Sequence, residues 1–424
     1  MEPPGGEVRV QFDSNNRRKI MEAFATDWLT MLVRWMHLIF GAAWIGTSFY
    51  FNWLNHSFRP PQEEMKGVGG EVWSVHGGEF YRVVKYKVAP EKLPETLHWF
   101  KWEAYATWMT GFALLALVYY LGAESYLIDP SVADIGQGTA IGIGLGALVG
   151  SWFVYDLLCK SPLGKKPLAF GAVGFALMTA AAWGLCQVFS SRGAYIHVGA
   201  MLGTMMAANV FVVIIPNQRI MVDAMLKNEA PDGSLGKAAS QRSLHNNYMT
   251  LPVLFIMISN HYPITYGHAW NWAILAALAL IGGVARHHFN VKHKGRQQPW
   301  LLPAAAVAMF ALAFVSSPAL DKEAAGPPVA FTEVQKVLDQ RCKTCHSAKP
   351  TFAGMTAPPA GLMYDSPEQV AAQAPRIRTA LTTNFMPPGN ITNLTQEERE
   401  LVLRWIKQGA DPKATGAAPK GDAH

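Results

Sequence analysis

Apolar runs long enough to cross a bilayer alternate with polar stretches over the first three quarters of the chain. Eight candidate spans of about 18 to 25 residues, the length that covers the hydrocarbon core, centre on 28–53, 102–121, 135–158, 168–189, 195–215, 248–262, 270–285 and 300–315. The sixth is the shortest, and Pro252 and Pro263 interrupt it. Ahead of them, 1–20 is a polar tail without the apolar core and small-residue cleavage site of a removable leader, so the first helix is expected to be retained. The pattern changes twice. In the loop after the first span, 72–75 and 80–88 are strand-like runs flanking His76, Gly77, Gly78 and Glu79, which predicts a hairpin. Beyond a linker at 317–330 the chain becomes polar, and two helices are expected at 331–340 and 395–409. Val334, Val337 and Leu338 share one side of the first; Leu401, Val402, Trp405 and Ile406 recur at helical spacing in the second. Thr395 with Glu398 forms a capping-box signature, and Gly409 marks the stop. Residues 413–424 read as a disordered tail. The fold class expected is all-α: a polytopic membrane helical bundle of about eight transmembrane helices over 21–316, then a small domain at 331–412.

Composition supports this division. Hydrophobic residues make up 50% of the chain, charged residues only 16%, and there are 14 Trp, which fits a membrane protein with a polar appendage and not a soluble enzyme. The net charge of +6 would suit nucleic acid, but its distribution points to a lipid bilayer as the partner and to no nucleic acid. Loops one, three, five and seven hold eighteen Lys and Arg, including Lys237, Arg242, Arg286, Lys294 and Arg296, whereas the alternate loops hold Arg192 alone. The positive-inside rule then puts the first set in the cytoplasm and both termini outside. That predicts a multi-pass protein of the bacterial inner membrane with its C-terminal domain in the periplasm. Arg17, Arg18 and Lys19 argue the other way and are outvoted.

Several spans carry more than apolar filler. Gly142, Gly146 and Gly150, spaced four apart, suggest close helix packing. Arg34 and His37 lie three residues apart on one helical face inside an apolar span, where an ionisable group is costly enough to suggest function. Arg34 offers a planar guanidinium fork and His37 a base with a useful pKa, while Trp35 or Trp44 offers a stacking surface. His197, His261 and His268 fall near the periplasmic edge, and each alone is more often a satisfied interface histidine than a ligand. Together they leave room for an embedded b-type haem. His245, His287, His288 and His293 read as a solvated basic edge on the other side. His76, His98 and Glu103 are candidates for a second polar site.

Four cysteines are too few for a disulfide framework. Cys159 and Cys186 lie in apolar helices and read as inert core residues. Cys342, Cys345 and His346 form C-x-x-C-H, the signature of covalent haem c attachment: two thiols add to the vinyl groups of one porphyrin and the adjacent imidazole turns onto the iron. A zinc site would need a second Cys/His pair nearby, and none follows. For the sixth ligand Met355, Met363 and Met386 compete. Met386 is preferred because Pro387 and Pro388 fix an extended loop around it, so the expected iron ligands are His346 and Met386. With its M-P-P-G loop and L-V-L-R-W-I-K-Q-G-A terminal helix, 328–412 resembles a class I cytochrome c.

The membrane half carries its own resemblance. The run R-W-M-H-L-I-F-G-A-A-W-I-G-T-S-F-Y-F from Arg34, the H-G-G-E-F-Y hairpin at His76 and the L-H-W-F-K-W-E-A-Y segment from Leu97 resemble the N-terminal domain of membrane-bound, cytochrome c-linked urate oxidases. In that family an eight-helix domain is fused to a C-terminal cytochrome c. The resemblance implies oxidation of urate to 5-hydroxyisourate with oxygen from water, and electrons leaving through haem c to a soluble cytochrome or a respiratory terminal oxidase. On that basis Arg34, His37, Trp44, His197 and His261 are the candidate catalytic residues. A membrane-anchored electron-transfer cytochrome without urate chemistry, and a transporter with a haem-bearing tether, are the competing readings.

Overall fold

The computed structural model describes residues 14–293, 298–317, 326–352, 355, 357–382 and 385–416. Its contacts divide the chain into two bodies, one of Met36–Ala324 with Arg376–Ile391, the other of Met1–Trp35, Ala325–Pro375 and Thr392–His424. Lys294 and Arg296, much of the linker and most of the C-terminal tail lie outside the described residues, as do residues 1–13 of the N-terminal tail.

Helices dominate the first body. They are α1 (Ser14–Ser57, counted with this body from Met36 onward), α2 (Trp102–Leu114), α3 (Gln137–Lys160), α4 (Pro167–Cys186), α5 (Ser191–Ala208), α6 (Ile215–Leu226), α7 (Gly233–Ser259), α8 (Asn271–His293) and α9 (Leu301–Val315). Helix α5 is the hub: it packs on α2, α3, α4 and α7, while α8 packs on α4, α7 and α9. Its sequence explains the position, because small residues (Gly193, Ala194, Ala207) and adaptable methionines (Met201, Met205, Met206) are buried along it, letting neighbours approach from several sides. The outward faces are apolar instead, with Leu168, Phe211, Val307 and Phe310 exposed. Five helices are long and apolar enough to cross a membrane: Phe24–Ser57, Gln137–Lys160, Pro167–Cys186, Ser191–Leu226 and Asn271–Lys292. The other three expected spans coincide with α2, α7 and α9, which are shorter or more polar.

Two helices widen into π turns. Leu115–Tyr120 continues α2, and Asn209–Ile214 joins α5 to α6. The second has a local cause in Pro216, which supplies no N–H and whose ring crowds the carbonyl one turn back.

The hairpin forms where expected, slightly longer. Strands β1 (Val68–His76) and β2 (Glu79–Tyr86) pair antiparallel with His76 opposite Glu79 and Trp73 opposite Arg82. Gly77 and Gly78 make the two-residue turn at φ +62° and +84°, the left-handed backbone that a tight hairpin needs and that glycine adopts without strain. Glu71 locks the hairpin base. Its buried carboxylate accepts from the Gln62 amide at 3.1 Å, Trp73 Nε1 at 3.2 Å and Arg82 Nε at 2.8 Å. The Gln62 amide, with Arg82 and Trp73, holds this carboxyl below its ordinary pKa.

In the second body, α10 (Phe331–Arg341) and α13 (Gln396–Lys407) bury the stripes their periodicity marks. Val334, Val337, Leu338, Val402 and Trp405 are all buried, and the Phe331 and Trp405 rings lie 5.3 Å apart. Each large apolar side chain removed from water contributes on the order of 2–3 kcal/mol. Thr395 and Glu398 form the capping box reciprocally. The same Glu398 accepts Arg341 Nε at 3.0 Å, and Arg341 also donates to the Thr392 carbonyl at 2.9 Å. Between α10 and α13 in the chain come α11 (Pro367–Ala372), with its own Ser366/Gln369 capping box, and α12 (Ala374–Thr382), which from Arg376 onward is counted with the first body.

Three expectations change. Helix α1 begins inside the polar tail, at Ser14, because nothing between Ser14 and Trp28 breaks a helix. The four-spaced glycines do not mediate close packing: a Cβ at Gly142, Gly146 or Gly150 would meet nothing within 4 Å. Close approach occurs at Gly144, on another face of α3, where a Cβ would lie 2.6 Å from His197 Nε2. Arg242 and Arg286, counted as loop cations, are buried inside α7 and α8, because both helices run past their apolar windows.

Candidate functional site

The C-x-x-C-H segment follows directly from the end of α10. His346 N–H and Cys345 N–H both donate to the Cys342 carbonyl, at 2.9 and 3.1 Å, closing a turn that keeps the two thiols and the imidazole on one short segment. Both cysteines are free thiols. His346 is buried, its ring 4.9 Å from that of Tyr364, with Nδ1 3.1 Å from the Leu362 carbonyl. That bond fixes the tautomer with the proton on Nδ1 and leaves the Nε2 lone pair for a metal. Burial lowers the pKa of this imidazole, although the Leu362 carbonyl partly opposes it, and neutral imidazole is the form that ligates. These residues therefore fit covalent haem c. Met386 precedes Pro387 in the segment Arg376–Ile391, which belongs with the helical body.

The expected membrane candidates separate. Arg34 and Trp35 are exposed on the outside of α1. His37 faces α2, with Nδ1 3.0 Å from the Thr107 carbonyl and 3.1 Å from Thr110 Oγ1, beside Gly111. Trp44 is half-buried against the helical core. His197 is fully buried on α5: Nδ1 lies 2.8 Å from the Gly193 carbonyl, Nε2 lies 3.3 Å from Tyr120 Oη, and Phe189 packs on the ring at 4.8 Å. With both nitrogens engaged and Gly144 against it, His197 has the surroundings of a satisfied core histidine. His261 is exposed just past α7, and His268 caps the turn before α8 through the Trp270 amide at 3.0 Å. His76 is exposed on the hairpin and His98 stacks edge-on against Phe100.

The structure instead assembles two polar networks inside the opposite end of the bundle, which the sequence reading missed. Arg242 of α7 pairs with Asp156 of α3 at 2.6 Å and reaches Asn209 Oδ1 at 3.3 Å. Asn209, the first residue of the π turn, donates to Tyr155 Oη at 3.0 Å and Asn246 Oδ1 at 2.8 Å. Tyr155 Oη is 2.9 Å from His245 Nδ1, and His245 stacks on Phe170 at 4.6 Å. The second network joins Asn52 of α1, Asn247 of α7, and Arg286 and Asn290 of α8. Asn52 Nδ2 donates to Asn247 Oδ1 at 2.9 Å and to Asn290 Oδ1 at 2.6 Å, and Arg286 Nε donates to Asn247 Oδ1 at 2.7 Å. Beside it Tyr248 Oη lies 2.7 Å from His287 Nδ1. So His245, His287 and the buried His288 are not a solvated edge; they are packed into protein. The missed signal was the four-residue spacing of Arg286 and Asn290 on one face of α8.

A family model described as urate oxidase N-terminal matches residues 23–317. The chain belongs to the urate oxidase N-terminal family. No curated protein and no solved structure matches significantly. The match to this urate oxidase-related family takes in α2 through α9, α1 from residue 23 onward, and both polar networks, and it ends before the C-x-x-C-H segment. The family suggests urate oxidation, and the match does not reach Cys342, Cys345 and His346.

Proposed function

We propose that this chain oxidises urate to 5-hydroxyisourate in its helical body and passes the electrons to haem c carried by Cys342, Cys345 and His346. The observation that carries the proposal is the fusion: a urate oxidase N-terminal family domain at 23–317 followed on the same chain by residues that fit thioether attachment and histidine ligation. In the reaction a hydroxyl from water bonds to C5 of the purine, and two electrons and two protons leave. Bound haem c would supply a one-electron acceptor. Each urate therefore serves two one-electron steps, and the final acceptor is a soluble cytochrome or a respiratory terminal oxidase.

The helical body crosses the bacterial inner membrane eight times, with the C-terminal haem domain in the periplasm. The length and apolar exterior of five helices support membrane insertion, and the loop charge asymmetry supports the orientation. The polar networks of α3, α7 and α8 then lie toward the cytoplasm, where a purine catabolite is made.

Anaerobic addition of urate to oxidised membranes tests the proposal. The haem c absorbance should shift to the reduced form with urate and not with an equal concentration of allantoin. An unchanged spectrum would leave an electron-transfer cytochrome without urate chemistry. A pyridine haemochrome assay on the same membranes should give the c-type spectrum; an added b-type component would place a second haem among the bundle histidines.

A further inference from the structure

The network of Asn52, Asn247, Arg286 and Asn290 is short of acceptors in a specific way. Asn52 and Arg286 use both amide oxygens of Asn247 and Asn290. That leaves Asn247 Nδ2, Asn290 Nδ2 and a terminal nitrogen of Arg286 buried with no hydrogen-bond partner, on residues only 1%, 2% and 5% exposed. Among the described residues no Asp or Glu pairs with Arg286. The amide orientations are not arbitrary. Arg286 Nε can only donate, so Asn247 must present oxygen to it; Asn52 must then present nitrogen to Asn247, and Asn290 oxygen to Asn52. The orphaned groups are therefore all donors, and one carries a positive charge.

Native interiors rarely leave such groups unmade, least of all an unpaired cation. The Arg242 network in the same bundle shows the contrast, since its guanidinium has Asp156. The donors left open around Arg286 have the chemistry to receive a planar, acceptor-rich anion. The guanidinium lies over the Phe49 ring, its carbon 3.9 Å from the centroid, so one face is covered and the N–H edge is left for in-plane bonding. Arginine and asparagine are the side chains whose geometry matches purine edges. A urate monoanion brings carbonyl oxygens and a deprotonated ring nitrogen, all acceptors. Asn52, Phe49 and Tyr248 are half-buried at the border of the network.

We infer that Asn247, Asn290 and Arg286 form the substrate site and bind the urate anion through these three donors; this rests on the urate-oxidising reading above. Asn247→Asp and Asn290→Asp test it on the full-length holoprotein. Each replaces a donor with an acceptor of the same shape, and the carboxylate of the first sits where Arg286 can pair with it. Thermal stability without urate should stay equal or rise, while the KM for urate-driven haem reduction rises about tenfold or more and the urate-induced rise in melting midpoint disappears. Loss of binding with no loss of stability is a split that a merely structural role would not produce. Wild-type KM and a wild-type urate-induced shift in both variants would overturn the inference while leaving urate oxidation standing. Wild-type protein whose haem ignores urate would overturn the reading on which it rests. Inorganic phosphate should leave the urate KM unchanged; competition by phosphate equal to that by urate would make this a general oxyanion or lipid-headgroup site and overturn the assignment. Should either variant fail to load haem c, Arg286→Lys gives the decisive measurement, keeping the charge but losing the in-plane fork, with the same expected rise in KM.

Discussion

Replacing Gly144 with alanine would place a methyl carbon 2.6 Å from His197 Nε2 and 3.0 Å from both His197 Cδ2 and Tyr120 Oη. Carbon contacts are comfortable at roughly 3.5–4.0 Å, so the imidazole would have to retreat by about 1 Å. It has nowhere to go. Its Nδ1 is tied to the Gly193 carbonyl, Phe189 lies against the ring, and the residue is fully buried. Overpacking of this kind costs about 1–3 kcal/mol, set against a gain of at most about 1 kcal/mol from alanine's better helix propensity. Gly146→Ala is the control, two residues along the same helix with nothing within 4 Å, and should be neutral or slightly stabilising. Melting of detergent-solubilised holoprotein, followed by tryptophan fluorescence, should give a lower midpoint for Gly144→Ala than for Gly146→Ala by several degrees. Equal midpoints would refute the packing argument and with it the view of His197 as a locked core residue.

Asp156→Asn leaves Arg242 buried without its anion and should cost about 3–5 kcal/mol, read as lost yield and a lower melting midpoint; Asp156→Asn with Arg242→Met should recover most of it. Glu398→Gln removes the charged partner of Arg341 and weakens the cap of α13, for about 2 kcal/mol, measured as earlier loss of the Soret band on heating. Burial works against Glu398 ionising, but Arg341 and the Thr395 amide outweigh it and hold its pKa below the ordinary 4.5. Its contribution is therefore complete above that value and disappears as pH falls through the lower folded one, so acid titration of the Soret band should show a step in wild type that Glu398→Gln lacks. Anaerobic titration with urate should reach full haem reduction at about half a urate per iron, since each urate yields two electrons; an end point near one would place a second acceptor on the chain.

Much of the fold was legible because local chemistry and long-range packing agree. The Gly77-Gly78 turn needs left-handed backbone at both positions, and two adjacent glycines between strand-like runs supply it. The Thr395/Glu398 box and the stripe from Leu401 to Ile406 specify α13 to within a residue or two. The reading failed where helices outrun their apolar windows. Helix α7 starts at Gly233, fifteen residues before the expected span, because its first turns are wetted on one side and score as loop. Hydropathy cannot tell a wet turn of helix from a loop, although the backbone bonds are the same.

The same blindness hid the networks, and its cause is physical. A buried arginine is affordable only through its partners, which lie far away in sequence: Asp156 stands 86 positions from Arg242, and Asn52 stands 238 from Asn290. Arg34 drew attention because it interrupts an apolar run, yet it lies on the exposed surface of its helix, where a long side chain can carry its charge to the membrane boundary. Arg286 drew none because it sits at the end of a run, among histidines that resemble a basic rim. What separates a structural cation from one that faces a ligand is the tally of its bonds. Arg242 has an acid, a carboxamide and two aromatic faces, whereas Arg286 has one carboxamide, one aromatic face and a nitrogen still waiting for an acceptor.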